Sequence, residues 1–189
     1  MKTKENIYTL SNALSLTRLL MTIPFWFLLD YFHEDWGRVA LIILAFIGAL
    51  TDWLDGFFAR KMNQVTEFGK IIDPLADKIC IGGMILKMYL IGVIDPFLFY
   101  LIIGRDALIF IAGIFLSYYL KKVLPSNMLG KLAVSSIALY ILIVFLQIDI
   151  NSVVRLSIYY LTIILIILSF VAYALRAIEF LRLKKNEVV

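Results

Sequence analysis

Six long apolar runs joined by short polar connections take up most of this chain. They span about residues 10–32, 36–60, 70–93, 97–120, 128–148 and 153–182. Each approaches or exceeds the roughly 20 apolar residues that a helix needs to cross the hydrocarbon of a bilayer. A helix is suited to that solvent because it satisfies its own backbone polar groups. The expectation is an all-α, polytopic membrane protein, a six-transmembrane-helix bundle. Composition agrees: a chain that is 62% hydrophobic, with a mean hydropathy of +0.94, is excluded from the ordinary soluble domains. The runs and their connections use up the 189 residues, so the chain reads as a single domain, 1–189, with no soluble domain attached. No internal repeat or low-complexity segment interrupts it.

The start of the chain does not read as a cleavable signal peptide. Pro24 and the charged stretch from Asp30 to Asp35 follow the first apolar run, with no small-residue cleavage pattern. The single cysteine, Cys80, excludes an intramolecular disulfide and reads as a small apolar side chain in an apolar helix.

Basic residues gather on alternate connections. Lys2 and Lys4 precede the first run, Arg60, Lys61 and Lys70 flank the second connection, and Lys121, Lys122 and Lys131 flank the fourth. Arg182, Lys184 and Lys185 close the chain. The other connections carry Arg38 and Arg155 among His33, Glu34, Asp35, Asp95 and Asp149. The positive-inside rule then predicts an integral protein of a bacterial-type inner or plasma membrane, with both termini and the second connection cytoplasmic. The net charge of +4 reads as attraction to an anionic lipid surface, not to nucleic acid.

One stretch breaks the apolar pattern. Asp52, Asp55, Gly56, Ala59 and Arg60 end the second run, and Gly69, Asp73 and Asp77 open the third. On helices, Asp52 and Asp55 (i, i+3) share a face, as do Asp73 and Asp77 (i, i+4). One acidic side chain near the bilayer centre costs about 3 kcal/mol, so four facing lipid are implausible unless cations neutralise them. Oxygen-only donors suit hard cations such as Mg²⁺, Mn²⁺ or Ca²⁺. Two such ions would relieve the mutual repulsion and form a clamp for chemistry at phosphorus. Gly56 and Ala59 leave room for a planar base or diphosphate to approach the backbone, or else serve helix packing. Arg60 supplies a fixed cation for phosphate. Gly69 reads as a loop glycine, and Pro74 as a first-turn residue of a helix starting near Lys70.

This spacing, D-x2-D-G-x2-A-R-x8-G-x3-D-x3-D, resembles the signature of the CDP-alcohol phosphatidyltransferase family, and all eight fixed positions match. The resemblance implies a membrane enzyme that transfers a phosphatidyl group from CDP-diacylglycerol to an alcohol and releases CMP. It also implies two divalent cations, Mg²⁺ or Mn²⁺, and a homodimer. Asp52, Asp55 and Asp73 then bind metal, and Asp77 binds metal or acts as general base. Gly56, Ala59, Arg60 and Gly69 belong to the CDP-binding site.

Flanking residues are similar to the branch containing phosphatidylglycerophosphate synthases and mitochondrial-type cardiolipin synthases. Asn12-Ala-Leu-Ser15-Leu-Thr17-Arg18 resembles its N-x-L-T-x-x-R start, with Ser15 where threonine is usual. Asn12 could cap the first helix, and Arg18 either reaches phosphate or snorkels to the interface. Gly104-Arg105-Asp106 resembles the branch's R-D or R-E dipeptide, which would put Arg105 on an acceptor phosphate; alternatively Asp106 forms a buried ion pair with Lys87. Gly130-Lys131 resembles its G-K, where the lysine faces the acceptor, but the usual K-x-K-T reads Lys131-Leu132-Ala133-Val134 here. Arg176, Glu179 and Arg182 read as helix-surface ion pairs, with Arg176 also a candidate for the acceptor pocket. Several basic candidates point to a phosphorylated small acceptor, first of all glycerol 3-phosphate. The alternatives are a cardiolipin synthase, another CDP-alcohol phosphotransferase, and, outside the class, a divalent-cation channel or transporter. Arg60 argues against the last, since a cation path gains nothing from an arginine at its mouth.

Overall fold

The structure is a computed structural model that describes residues 10–62, 67–120 and 128–187. Side chains are described from Leu16 to Arg182, apart from Arg18, Asp52, residues 55–77, Ile114 and residues 116–127. Six α-helices are present: α1 (Leu10–Leu28), α2 (Asp35–Met62), α3 (Glu67–Leu90), α4 (Pro96–Leu120), α5 (Met128–Phe145) and α6 (Val153–Glu187). A short 3-10 turn, Leu29–Tyr31, follows α1. The all-α expectation holds, with no strand among the described residues. The helices fall into two compact units, residues 1–94 and 95–189.

In the first unit, α1 packs against both α2 and α3. Phe25, Leu29, Leu41, Ile85 and Met88 are buried. Pro24 lies inside α1 and removes the bond its nitrogen would have made to the Leu20 carbonyl. Gly92, at φ +73°, adopts the left-handed conformation that ends a helix without strain only for glycine. Its amide and that of Val93 turn back onto the Tyr89 and Met88 carbonyls.

Three local expectations are corrected here. Asn12 lies inside α1, not ahead of it. α3 begins at Glu67, so Gly69 is helical rather than a loop residue, and Pro74 falls past the first turn. Lys87 is paired within the first unit: its ammonium sits 2.6 Å from Asp30 and 5.3 Å from the centre of the Trp26 ring. Lys87 lies in the last turn of α3, so this pair ties α3 to the end of α1.

In the second unit, α6 packs against α4 and α5. Asp95 caps α4, accepting the Leu98 amide at 3.1 Å, with Pro96 at the first helical position where its missing N–H does no harm. Ser152 caps α6 in the same way through the Arg155 amide, 3.2 Å. The Thr162 hydroxyl, which donates to the Ile158 carbonyl of its own helix at 2.7 Å, also lies 3.3 Å from the Ser136 carbonyl of α5, and the Tyr140 and Tyr159 rings meet at 5.7 Å where α5 packs on α6.

Three helices are long and apolar enough to cross a membrane among the described residues, and all three are in this unit. Their apolar windows are Pro96–Gly113, Met128–Phe145 and Val153–Arg182. Large apolar side chains such as Tyr100, Ile111, Phe115, Ile164 and Leu175 stay more than half exposed. Water would disfavour such a surface, whereas lipid tails accept it. The chain is a membrane protein.

Candidate active site

The acidic motif straddles the connection between α2 and α3. Asp52, Asp55, Gly56, Ala59 and Arg60 all fall in α2, and Gly69, Asp73 and Asp77 in α3. Their side chains lie outside the described residues, so the helical register carries the geometry. Asp52 and Asp55 stand about one turn apart, as do Asp73 and Asp77. Asp52 is ten residues before Met62, and Asp77 is ten residues after Glu67. At 1.5 Å per residue both stand about 15 Å along their helices from the connection. Asp55 and Asp73 stand seven and six residues from those ends, about 10 Å. The two pairs are thus equally staggered along their helices. Among the described residues no group of three or more His, Cys, Asp or Glu could hold a metal; the motif falls outside that set. Arg18 falls in α1 with its side chain likewise outside it.

The second candidate lies wholly within the second unit. A cavity of about 430 Å³ opens among α4, α5 and α6. Its polar lining comes from Arg105 on α4, Lys131 and Ser135 on α5, and Ser169 and Tyr173 on α6. Ile109 and Val134 line it with hydrocarbon. Arg105 and Lys131, named from the sequence, thus meet at one place. Arg105 is the tenth residue of α4, deep in that helix, while Lys131 is in the first turn of α5. The cavity spans both levels.

Arg105 is only 8% exposed. A buried guanidinium is costly unless paired and hydrogen-bonded. One terminal nitrogen donates to Asp106 at 2.5 Å, and the other donates to the Ser169 hydroxyl at 2.8 Å. Its Nε has no hydrogen-bond partner among the described residues. Tyr173 stands one turn beyond Ser169, its hydroxyl so close over Gly113 that a Cβ there would come within 3.3 Å.

The departure from K-x-K-T also takes on physical meaning. Ala133, where the pattern has a second lysine, is fully buried, and Val134, in place of threonine, faces the cavity. The cations of this cavity, among the described residues, are therefore one lysine of α5 and one arginine of α4. Arg176 is not among the lining residues. Ser135, Ser169 and Tyr173 were not anticipated. The available signal was Ser169 and Tyr173 at i, i+4, two polar groups on one face of the otherwise apolar stretch 163–175 of α6.

Comparison with known proteins agrees with the motif. The family model described as CDP-alcohol phosphatidyltransferase matches residues 8–176. A CDP-diacylglycerol–glycerol-3-phosphate 3-phosphatidyltransferase of Aquifex aeolicus is 36% identical over 180 residues, covering 89% of this chain and 95% of the relative. Proteins of the same name from Bacillus subtilis and Escherichia coli K12 are 31% identical over 138 residues and 39% over 75. These cover 67% and 40% of this chain, and 70% and 41% of the relatives. The chain belongs to the CDP-alcohol phosphatidyltransferase family, and it is a transferase of phospholipid synthesis.

Proposed function

We propose that this enzyme transfers the phosphatidyl group of CDP-diacylglycerol to glycerol 3-phosphate and releases CMP. The observation that carries the acceptor assignment is the cavity that brings Arg105 and Lys131 together. Two cations in a small polar pocket suit the dianionic phosphate monoester of a small acceptor, whereas glycerol brings no phosphate to them and a lipid phosphodiester brings only a single negative charge. The names of the relatives point to the same pair of substrates.

The chemistry belongs to the first unit. The donor set fits two divalent cations, Mg²⁺ or Mn²⁺, with Asp52, Asp55 and Asp73 as ligands and Asp77 as a further ligand or the base. Bound there, the cations would neutralise the carboxylates and the diphosphate and stabilise charge developing at phosphorus. Gly56, Ala59 and Gly69 admit the cytidine diphosphate close to the helix backbones, and Arg60 offsets its charge. The acceptor hydroxyl attacks the phosphatidyl phosphorus, its proton passes to Asp77, and the bond to CMP breaks. Arg18, midway along α1, is a further phosphate contact. The family match runs through both units, which supports one membrane domain over 1–189 with all six helices as membrane spans. The alternation of basic connections supports cytoplasmic termini and a cytoplasmic active site. The assembly we propose is a homodimer.

The test is CMP release from CDP-diacylglycerol in proteoliposomes, with glycerol 3-phosphate, glycerol, inositol phosphate and phosphatidylglycerol as acceptors. Glycerol 3-phosphate should dominate. Turnover with phosphatidylglycerol and none with glycerol 3-phosphate would replace this reading with a cardiolipin synthase.

A further inference from the structure

We propose that Ser169 is a positioning residue for acceptor recognition: it holds the Arg105 guanidinium in the orientation that receives the acceptor's phosphate. The inference rests on the acceptor-site reading above.

Little else among the described residues holds that side chain. Arg105 reaches Asp106, its neighbour in sequence. Adjacent residues on a helix point in different directions, so this contact curls the guanidinium along α4 and does not fix its plane. Arginine carries five N–H donors in a rigid fork. Anchoring two of its nitrogens fixes the plane and so the direction of the remaining donors. The second anchor is the Ser169 hydroxyl, 2.8 Å from the other terminal nitrogen and supplied by a different helix. Ser169 itself is 1% exposed. A serine in an apolar helix commonly turns its hydroxyl onto its own backbone; this one accepts from an arginine 64 residues away. Two anchors of opposite character then hold the fork, a carboxylate that offsets its charge and a neutral hydroxyl that orients it. Lys131, exposed at the start of α5, has no such tether among the described residues and acts as a point charge on a flexible stem. The directional part of phosphate recognition therefore falls to Arg105, and its precision to Ser169.

The test is initial-rate kinetics of Ser169→Ala, Ser169→Thr, Lys131→Ala, and the pair Arg105→Lys and Arg105→Lys/Ser169→Ala, each with both substrates varied in proteoliposomes. Ser169→Ala should raise the KM for glycerol 3-phosphate about tenfold, the loss of one hydrogen bond to a charged group. Turnover at saturation and the KM for CDP-diacylglycerol should stay within about twofold. Ser169→Thr, which keeps the hydroxyl, should restore at least half of the loss. In the Arg105→Lys background Ser169→Ala should have almost no further effect, because a residue that acts through another loses its effect with it. An unchanged acceptor KM in Ser169→Ala, alongside a raised one in Lys131→Ala, overturns the proposal and leaves the acceptor site standing. A joint fall of turnover and both affinities, without rescue by threonine, overturns it in favour of simple packing. Unchanged acceptor KM values in both Ser169→Ala and Lys131→Ala overturn the acceptor-site reading together with this proposal.

Discussion

The two units handle charge in opposite ways. The first collects four carboxylates within 26 consecutive residues, on two helices joined by a short connection. Like charges so placed repel, and in the function proposed above cations and a nucleotide diphosphate complete this region. The second unit collects one arginine and one lysine from two helices into a cavity whose third wall supplies hydroxyls. Its buried charge already has internal partners, Asp106 and Ser169. One region binds through charges that cannot stand alone, the other through charges already oriented. The first arrangement suits the reacting diphosphate, the second suits selection among small anions.

If that division is right, changes in the first unit should strike turnover and changes in the second should strike acceptor affinity. The largest effect is expected for Asp52→Asn or Asp73→Asn: loss of CMP release by roughly a thousandfold, with the protein still inserted and monodisperse. Wild-type turnover of either variant in excess chelator would erase the contrast. Next comes Asp77→Asn, which should lower kcat about 10²- to 10⁴-fold, the range of general acid–base catalysis, while CDP-diacylglycerol binding is retained. Measured by equilibrium binding of the CDP-lipid, a loss of affinity at unchanged turnover would make Asp77 a ligand only. The smallest effect should come from Asp95→Ala, which removes the α4 cap. It should cost about 1 kcal/mol of stability, visible as a lower Tm in detergent, and move neither KM; a changed acceptor KM would mean that the α4 end communicates with the cavity.

The two regions also differed in how far they could be read in advance. The motif is local: its chemistry is spaced by helical turns along a short stretch, so residue type and interval were enough to assign it. The six helices were equally plain, because apolar length is a property of consecutive residues. Their ends were not: Asn12 and Gly69 proved to lie within helices, and Pro74 past the first turn of its own. A cap or a first-turn proline is a weak local preference that a continuing apolar run overrides. The cavity was half legible. Arg105 and Lys131 stood out as charges in apolar surroundings, but Ser169 and Tyr173 are ordinary residues of membrane helices until the packing of α6 on α4 gives them a partner. Nor did the sequence name the acid that meets Lys87. Similar depth in a membrane leaves the neighbour undetermined, and the acid that meets Lys87 comes from the turn after α1.

The division of labour is tested most directly by initial-rate kinetics of Lys131→Ala with both substrates varied. Losing one charge-assisted contact to phosphate should raise the KM for glycerol 3-phosphate about ten- to a hundredfold, equivalent to roughly 1.5–3 kcal/mol, with the KM for CDP-diacylglycerol unchanged. An acceptor KM equal to that of the wild type for every phosphorylated acceptor, or a shift confined to CDP-diacylglycerol, would contradict the account.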